Sequence, residues 1–362
     1  MTIRVLDIDP ALFEENERTA PAGDGRRFAS VGALECELGG SLPEVTVAYE
    51  TWGELAPGLD NAILVCHALS GDSHAIGWWD RLVGPKKPID TDRYYVIGSN
   101  CLGGCQGSTG PSSPSPQGEA WATRFPLVTV GDMVEVQRRL VRSLGIDQLL
   151  GVAGGSMGGM QALEWGRIGG TRKAFVTGAC ARHNAMQIGF NEAARQAVMR
   201  DSHWKGGLYG ADSPDGGLAV ARMIGHISFL SEAAFDAKFG RAMQHGAGAQ
   251  SSFGPQFQVE SYLNYQASKF TRRFDANSLL YLTKAIDLYD CQSLDGSTCE
   301  FLFASFTSDW LYPPHQSEEM HQMAIDAGCA SRWVNIDLPY GHDAFLLDGE
   351  QQGSALREFL AS

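Results

Sequence analysis

The chain has 362 residues, 44% hydrophobic and 19% charged, the composition of a folded, soluble protein large enough to hold a module beyond one ordinary core. Its formal charge of −14 argues against a nucleic-acid or anionic-membrane partner. Apolar runs far short of the roughly 20 residues a membrane span needs, and no basic-then-apolar leader at the start, make the cytoplasm the expected compartment and exclude a membrane partner.

Residues 43–52 and 61–66 read as early strands, 94–100 as another, and 133–144 as an amphipathic helix. An apolar run (Leu149, Leu150, Val152, Ala153) then meets Gly154-Gly155-Ser156-Met157-Gly158, followed by a helix-like segment over 160–165. Strand and helix patterns alternate to about residue 179, as a mostly parallel sheet requires. From 181 onward the pattern turns helical, with segments at 191–200, 218–227 and 278–288, broken by glycine-rich stretches at 206–217 and 246–254 that read as mobile loops. Strand runs resume at 301–306 and 333–338. The expected organisation is an α/β core over 1–180 and 293–362, with a helical lid inserted over 181–292. Eight cysteines scattered along this length do not form a disulfide framework, and Cys101-x-x-x-Cys105 lacks a second ligand pair, so no metal is expected. Cys66 and Cys180 read as small core residues in strand patterns.

The chemistry concentrates at strand ends. A serine hydroxyl is a poor nucleophile until a strained turn exposes it beside a base, and glycines on either side of Ser156 permit such a turn. An acid and then a histidine must follow in chain order, each just past a strand: Asp309 after 301–306, His342 after 333–338. Taken singly, Asp309 is an ordinary turn former and His342 an ordinary polar residue; the ordered set outweighs those readings. Asp337 and Asp343 compete for the acid, but Asp337 lies within a strand pattern and Asp343 immediately follows the base. After the strand at 61–66, His67-Ala68-Leu69-Ser70-Gly71-Asp72 is a small-residue loop, which in this architecture donates an oxyanion-hole N–H. The donors are assigned to the backbones of Leu69 and Met157, against the plainer reading of a strand-to-helix turn capped by His67 and Ser70.

Several blocks together carry a family resemblance. They include Val47-Ala48-Tyr49-Glu50-Thr51-Trp52-Gly53, His67 to Asp72, Gly77-Trp78-Trp79-Asp80, Asn100-Cys101-Leu102-Gly103-Gly104-Cys105, Phe190-Asn191-Glu192, Ala221-Arg222-Met223-Ile224-Gly225-His226, Arg273-Phe274-Asp275-Ala276-Asn277 and Gly341-His342-Asp343-Ala344-Phe345. The chain resembles the homoserine O-acyltransferases, specifically the acetyltransferase branch of the α/β-hydrolase fold that starts methionine synthesis. The resemblance implies Ser156, Asp309 and His342 as triad, with Arg222 and Asp343 holding the amino-acid substrate. It further implies L-homoserine and acetyl-CoA as substrates with no bound cofactor, and a homodimer formed through the lid helices. One departure is visible: His74-Ala75-Ile76 leads straight into Gly77-Trp78, a shorter join than the family's at the mouth of the acyl-donor channel. Succinyl transfer, serine as acceptor, plain ester hydrolysis and a non-catalytic interaction role stay open, although the last is expected to lose a triad residue. No lysine or arginine is assigned to coenzyme A phosphates, and Lys86-Lys87 reads as a solvated pair.

Overall fold

The computed structural model describes residues 25–244 and 253–362. An eight-stranded sheet organises them: β1 (Arg27–Ser30), β2 (Thr46–Trp52), β3 (Ala62–Cys66), β4 (Tyr95–Ser99), β5 (Leu149–Gly155), β6 (Thr171–Thr177), β7 (Glu300–Phe306) and β8 (Ser331–Ile336). The spatial order is β1-β2-β4-β3-β5-β6-β7-β8, with β2 antiparallel to both neighbours and every later pair parallel. Parallel strands covered on both faces read as continuous apolar runs, because alternate side chains enter opposite cores. On β3, Leu64 and Cys66 join one core and Ile63 and Val65 the other; on β7, Phe301 and Phe303 oppose Leu302 and Ala304.

Helices α1 (Ala75–Trp78), α2 (Val130–Ser143) and α3 (Met157–Ile168) belong to the first part of the chain. Helix α2 starts where Thr129 Oγ1 accepts the Asp132 N–H and Asp132 returns a bond to the Thr129 N–H, a reciprocal cap that satisfies two orphan donors. Between β6 and β7 lie α4 (Ala185–Met199), α5 (Asp215–Phe229), α6 (Glu232–Lys238), α7 (Gln258–Thr271) and α8 (Ala276–Leu288). The chain leaves and rejoins the core at one place, since Arg182 and Asp290 form an antiparallel bridge and the Cys291 N–H donates to the Ala181 carbonyl at 2.9 Å. Helices α9 (Pro314–Asp326), α10 (Ala344–Leu347) and α11 (Gln351–Ala361) complete the core.

The sequence pattern carried the strand at 333–338 too far. It ends at Ile336, so Asp337 is exposed beyond it and accepts the Thr307 hydroxyl at 2.7 Å. Likewise Cys180 is buried three residues beyond β6 rather than within a strand. The stretch at 246–254 lies largely outside the described residues. All eight cysteines are free thiols.

Candidate active site

Ser156 sits between the end of β5 and the start of α3 with φ 57° and ψ −124°, a strained backbone for a residue with a side chain. Its N–H donates to the Thr177 carbonyl of the neighbouring strand at 3.1 Å, which pins the elbow to the sheet. Gly158 is required by the same packing: a Cβ there would lie 2.1 Å from the Cys66 carbonyl oxygen. Helix α3 therefore approaches the end of β3 closely enough to set Ser156 beside the loop that follows Cys66. Met157 is the first residue of α3, where amides have no intrahelical acceptor. Both oxyanion-hole assignments, Leu69 and Met157, thus fall on segments that flank Ser156.

The loop after β3 is braced from below. His67 donates from Nδ1 to the Ala68 carbonyl at 2.7 Å and accepts the Cys101 N–H on Nε2 at 3.0 Å, an arrangement only the neutral ring permits. Burial, the largest influence on it, lowers its pKa. From above, Arg273 Nη1 donates to the Ser70 carbonyl at 2.9 Å and Arg222 Nη1 to the Ser70 hydroxyl at 3.4 Å.

The acid and base meet across the ends of β7 and β8. Asp309 Oδ2 accepts His342 Nδ1–H at 2.8 Å, while Oδ1 accepts the Leu311 and Tyr312 N–H groups at 3.0 and 2.8 Å. Both side chains are buried. With Nδ1 committed to the carboxylate, Nε2 is left as the basic nitrogen. The imidazole is held in an aromatic slot, stacked on Tyr312 with ring centroids 4.7 Å apart and flanked by Phe345 and Phe229. Its turn is packed under the junction of α5 and α6: Gly341 has φ 70°, and a Cβ there would lie 2.5 Å from the Ser231 nitrogen. Ser231 caps α6 and bonds the Pro339 carbonyl, so the helical excursion rests on the segment carrying His342.

Ser156, His342, Leu69, Arg222 and Asp343 line one cavity of about 130 Å³. Arg222 reaches it from α5, its guanidinium 4.7 Å from the centre of the Phe270 ring. Lys86 and Lys87 are exposed and take no part in its lining. Sequence reasoning missed three residues on the same wall: Tyr312, His183 and, behind them, Asp287, linked by hydrogen bonds of 2.7 and 2.9 Å. His183 and Asp287 stand 104 positions apart, and no spacing marks them as a pair.

Comparison with known proteins gives the family. The α/β-hydrolase fold family matches residues 61–349. The homoserine O-acetyltransferase of Solidesulfovibrio magneticus is 49% identical over 366 residues, covering 92% of this chain and 92% of its own. Among solved structures, the homoserine O-acetyltransferase from Bacillus anthracis is similar with a TM-score of 0.86 and 26% identity, covering 93% of this chain and 97% of that one. Esterase E22 has a TM-score of 0.84 and 29% identity, with coverages of 92% and 99%. From its elbow, its ordered acid and base, and these full-length matches, the chain belongs to the homoserine O-acetyltransferase family of the α/β-hydrolase fold.

Proposed function

We propose that the chain moves the acetyl group of acetyl-coenzyme A to the hydroxyl of L-homoserine through an acetyl-Ser156 intermediate, giving O-acetyl-L-homoserine. The observation that carries this reading is that the nucleophile and base share their cavity with one cation, Arg222, and one anion, Asp343. An amino-acid zwitterion brought out of water needs both, since an unpaired buried charge costs several kcal/mol or more. A guanidinium can grip the carboxylate through two parallel hydrogen bonds.

In the first half-reaction His342 Nε2 takes the Ser156 proton and Oγ attacks the thioester carbonyl. The oxyanion is held by the Leu69 and Met157 N–H groups, each worth about 3 kcal/mol in the transition state. As the intermediate collapses the C–S bond breaks, and His342 returns its proton to the departing thiolate. In the second, His342 takes the homoserine hydroxyl proton, the alkoxide attacks the acetyl-serine carbonyl, and Ser156 leaves with the proton restored. Transfer to an alcohol amid water at about 55 M requires water to be excluded, the role assigned to helices α4–α8 as a lid. A dimer formed through those helices is supported by exposed apolar side chains on them, including Met186, Val220, Ile227 and Tyr265; light scattering of the purified chain tests it.

The deciding experiment follows thiol release from acetyl- and succinyl-coenzyme A, each with homoserine, with serine and without acceptor, identifying products by mass. Turnover that needs both the acetyl donor and homoserine is the expected result. Equal thiol release without an acceptor would make water the nucleophile and the chain an ester hydrolase.

A further inference from the structure

Beside the triad, a second hydrogen-bonded file ends at the nucleophile. Tyr312 lies three residues beyond Asp309, and its ring stacks on His342 with an interplanar angle of 24°. Its hydroxyl is 2.7 Å from His183 Nε2, and His183 Nδ1 is 2.9 Å from Asp287 Oδ1. Asp287 also accepts from Asn191 Nδ2 and Arg195 Nη1, both at 2.7 Å. The His183 and Asp287 side chains are 1% and 5% exposed. Burial pushes the Asp287 carboxyl up, but the bonds from His183, Asn191 and Arg195 outweigh it and hold the pKa below the usual range, so the group is a carboxylate.

In the neutral ring, with the Nδ1 proton directed at the Asp287 carboxylate, His183 Nε2 is an acceptor. The Tyr312 proton is therefore committed to His183, and the phenol oxygen can only accept from the cavity side. That side holds Ser156, whose side chain pulls against the burial that raises the Tyr312 pKa far above its ordinary value. An acetyl thioester brings no hydrogen-bond donor to such an oxygen. An amino alcohol does: with its hydroxyl at the acetyl-serine carbonyl, an ammonium three carbons away lies roughly 3–5 Å from that hydroxyl, within reach of a group beside Ser156.

We propose that the Tyr312 oxygen, oriented by His183 and Asp287, accepts a hydrogen bond from the ammonium group of the acyl acceptor, making Tyr312 a specificity-determining residue for amino alcohols. The proposal rests on the amino-alcohol reading above. Tyr312 thereby acts with Asp343: one supplies an oriented dipole, the other a charge. The same file also ties the β7 loop to α4 and α8, so the test must separate recognition from support.

The separation comes from removing the ammonium instead of only the phenol. Homoserine and 4-hydroxybutyrate, which lacks the amino group and keeps the carboxylate and hydroxyl, are compared as acceptors for the wild-type chain and for Tyr312→Phe, which keeps the stack on His342. The expected result is a loss of roughly ten- to a hundredfold in kcat/KM for homoserine, carried mainly by KM, as for one hydrogen bond to a charged group. For 4-hydroxybutyrate the change stays within about threefold. His183→Leu, which frees the Tyr312 proton to point into the cavity, is expected to give the same split. Equal losses for both acceptors, or none for homoserine, overturn the inference and leave the acetyltransferase reading standing. A wild-type chain with no homoserine-dependent thiol release sinks both.

Discussion

Ser156 carries a conflict between backbone preference and position at the centre of the site. Holding a side-chain-bearing residue at φ 57° and ψ −124° costs about 1–3 kcal/mol, which the surrounding strand and helix must overcome. Two consequences follow at this single position. Ser156→Ala is expected to abolish the burst of thiol release from acetyl-coenzyme A, read by stopped-flow; a full burst from that variant would sink the acyl-serine scheme. Ser156→Gly is expected to be equally inactive yet more stable than the alanine variant by about 1 kcal/mol in denaturant unfolding, because glycine adopts this conformation without strain. At the acid, Asp309→Asn keeps an oxygen for the Leu311 and Tyr312 amides but can offer His342 Nδ1 the wrong partner. A fall in kcat on the order of 10⁴ is expected with little change in melting temperature, since the imidazole is then held in the wrong tautomer. An effect below tenfold would take the acid role from Asp309.

Among the elements, the junction of α5 and α6 matters more for the site than the length of either helix. The two helices meet at 104°, and the junction is held by the Trp310 Nε1 bond to the Leu230 carbonyl at 3.0 Å and by Ser231 on Pro339. The same junction covers Gly341, so Arg222 on α5 and His342 on its turn are set relative to each other by one packed contact. Gly341→Ala would force a positive φ on alanine and drive a methyl group into the Ser231 backbone. A loss of roughly 2–4 kcal/mol in unfolding free energy is expected from strain and overpacking together, with a fall in kcat/KM for homoserine. Unchanged stability would mean that the junction yields easily and does not fix the base. The sequence pattern located α5 through residues 218–227 but not α6, a seven-residue helix whose start depends on the Ser231 cap at a bend no periodicity records.

Across the whole molecule, stability and acidity are coupled through buried neutral histidines. Burial, reinforced by the charges of Arg222, Lys238 and Lys269, takes His226 down to about 2. His67 is lowered in the same direction by burial. The unfolded chain protonates these rings below about pH 6.5 while the folded chain does not, so unfolding takes up protons and stability falls as pH drops. The slope reaches at most about 1.4 kcal/mol per pH unit for each histidine. Melting temperature is therefore expected to fall between pH 7 and 5, and His226→Gln to flatten that fall; an identical pH profile in the variant would remove His226 as the cause. Among the described residues no single helix is long and apolar enough to cross a membrane.

By itself the sequence determined the features that are local or ordered along the chain. The apolar runs at 61–66, 149–153 and 301–306 read as strands because both faces of a parallel sheet are buried. The glycines around Ser156 announce the elbow because a Cβ at Gly154, Gly155 or Gly158 would strike the Gly158 backbone, the Phe345 ring or the end of β3. The order of Ser156, Asp309 and His342 follows from three strand ends on one sheet edge. Only the tertiary structure decided what else meets across the chain: Arg222 brought over the oxyanion loop by the helices between β6 and β7, and the file from Tyr312 through His183 to Asp287. Those meetings depend on hydrogen bonds and packing between residues up to 152 positions apart, and pairing at such separations leaves no period or spacing in a single sequence.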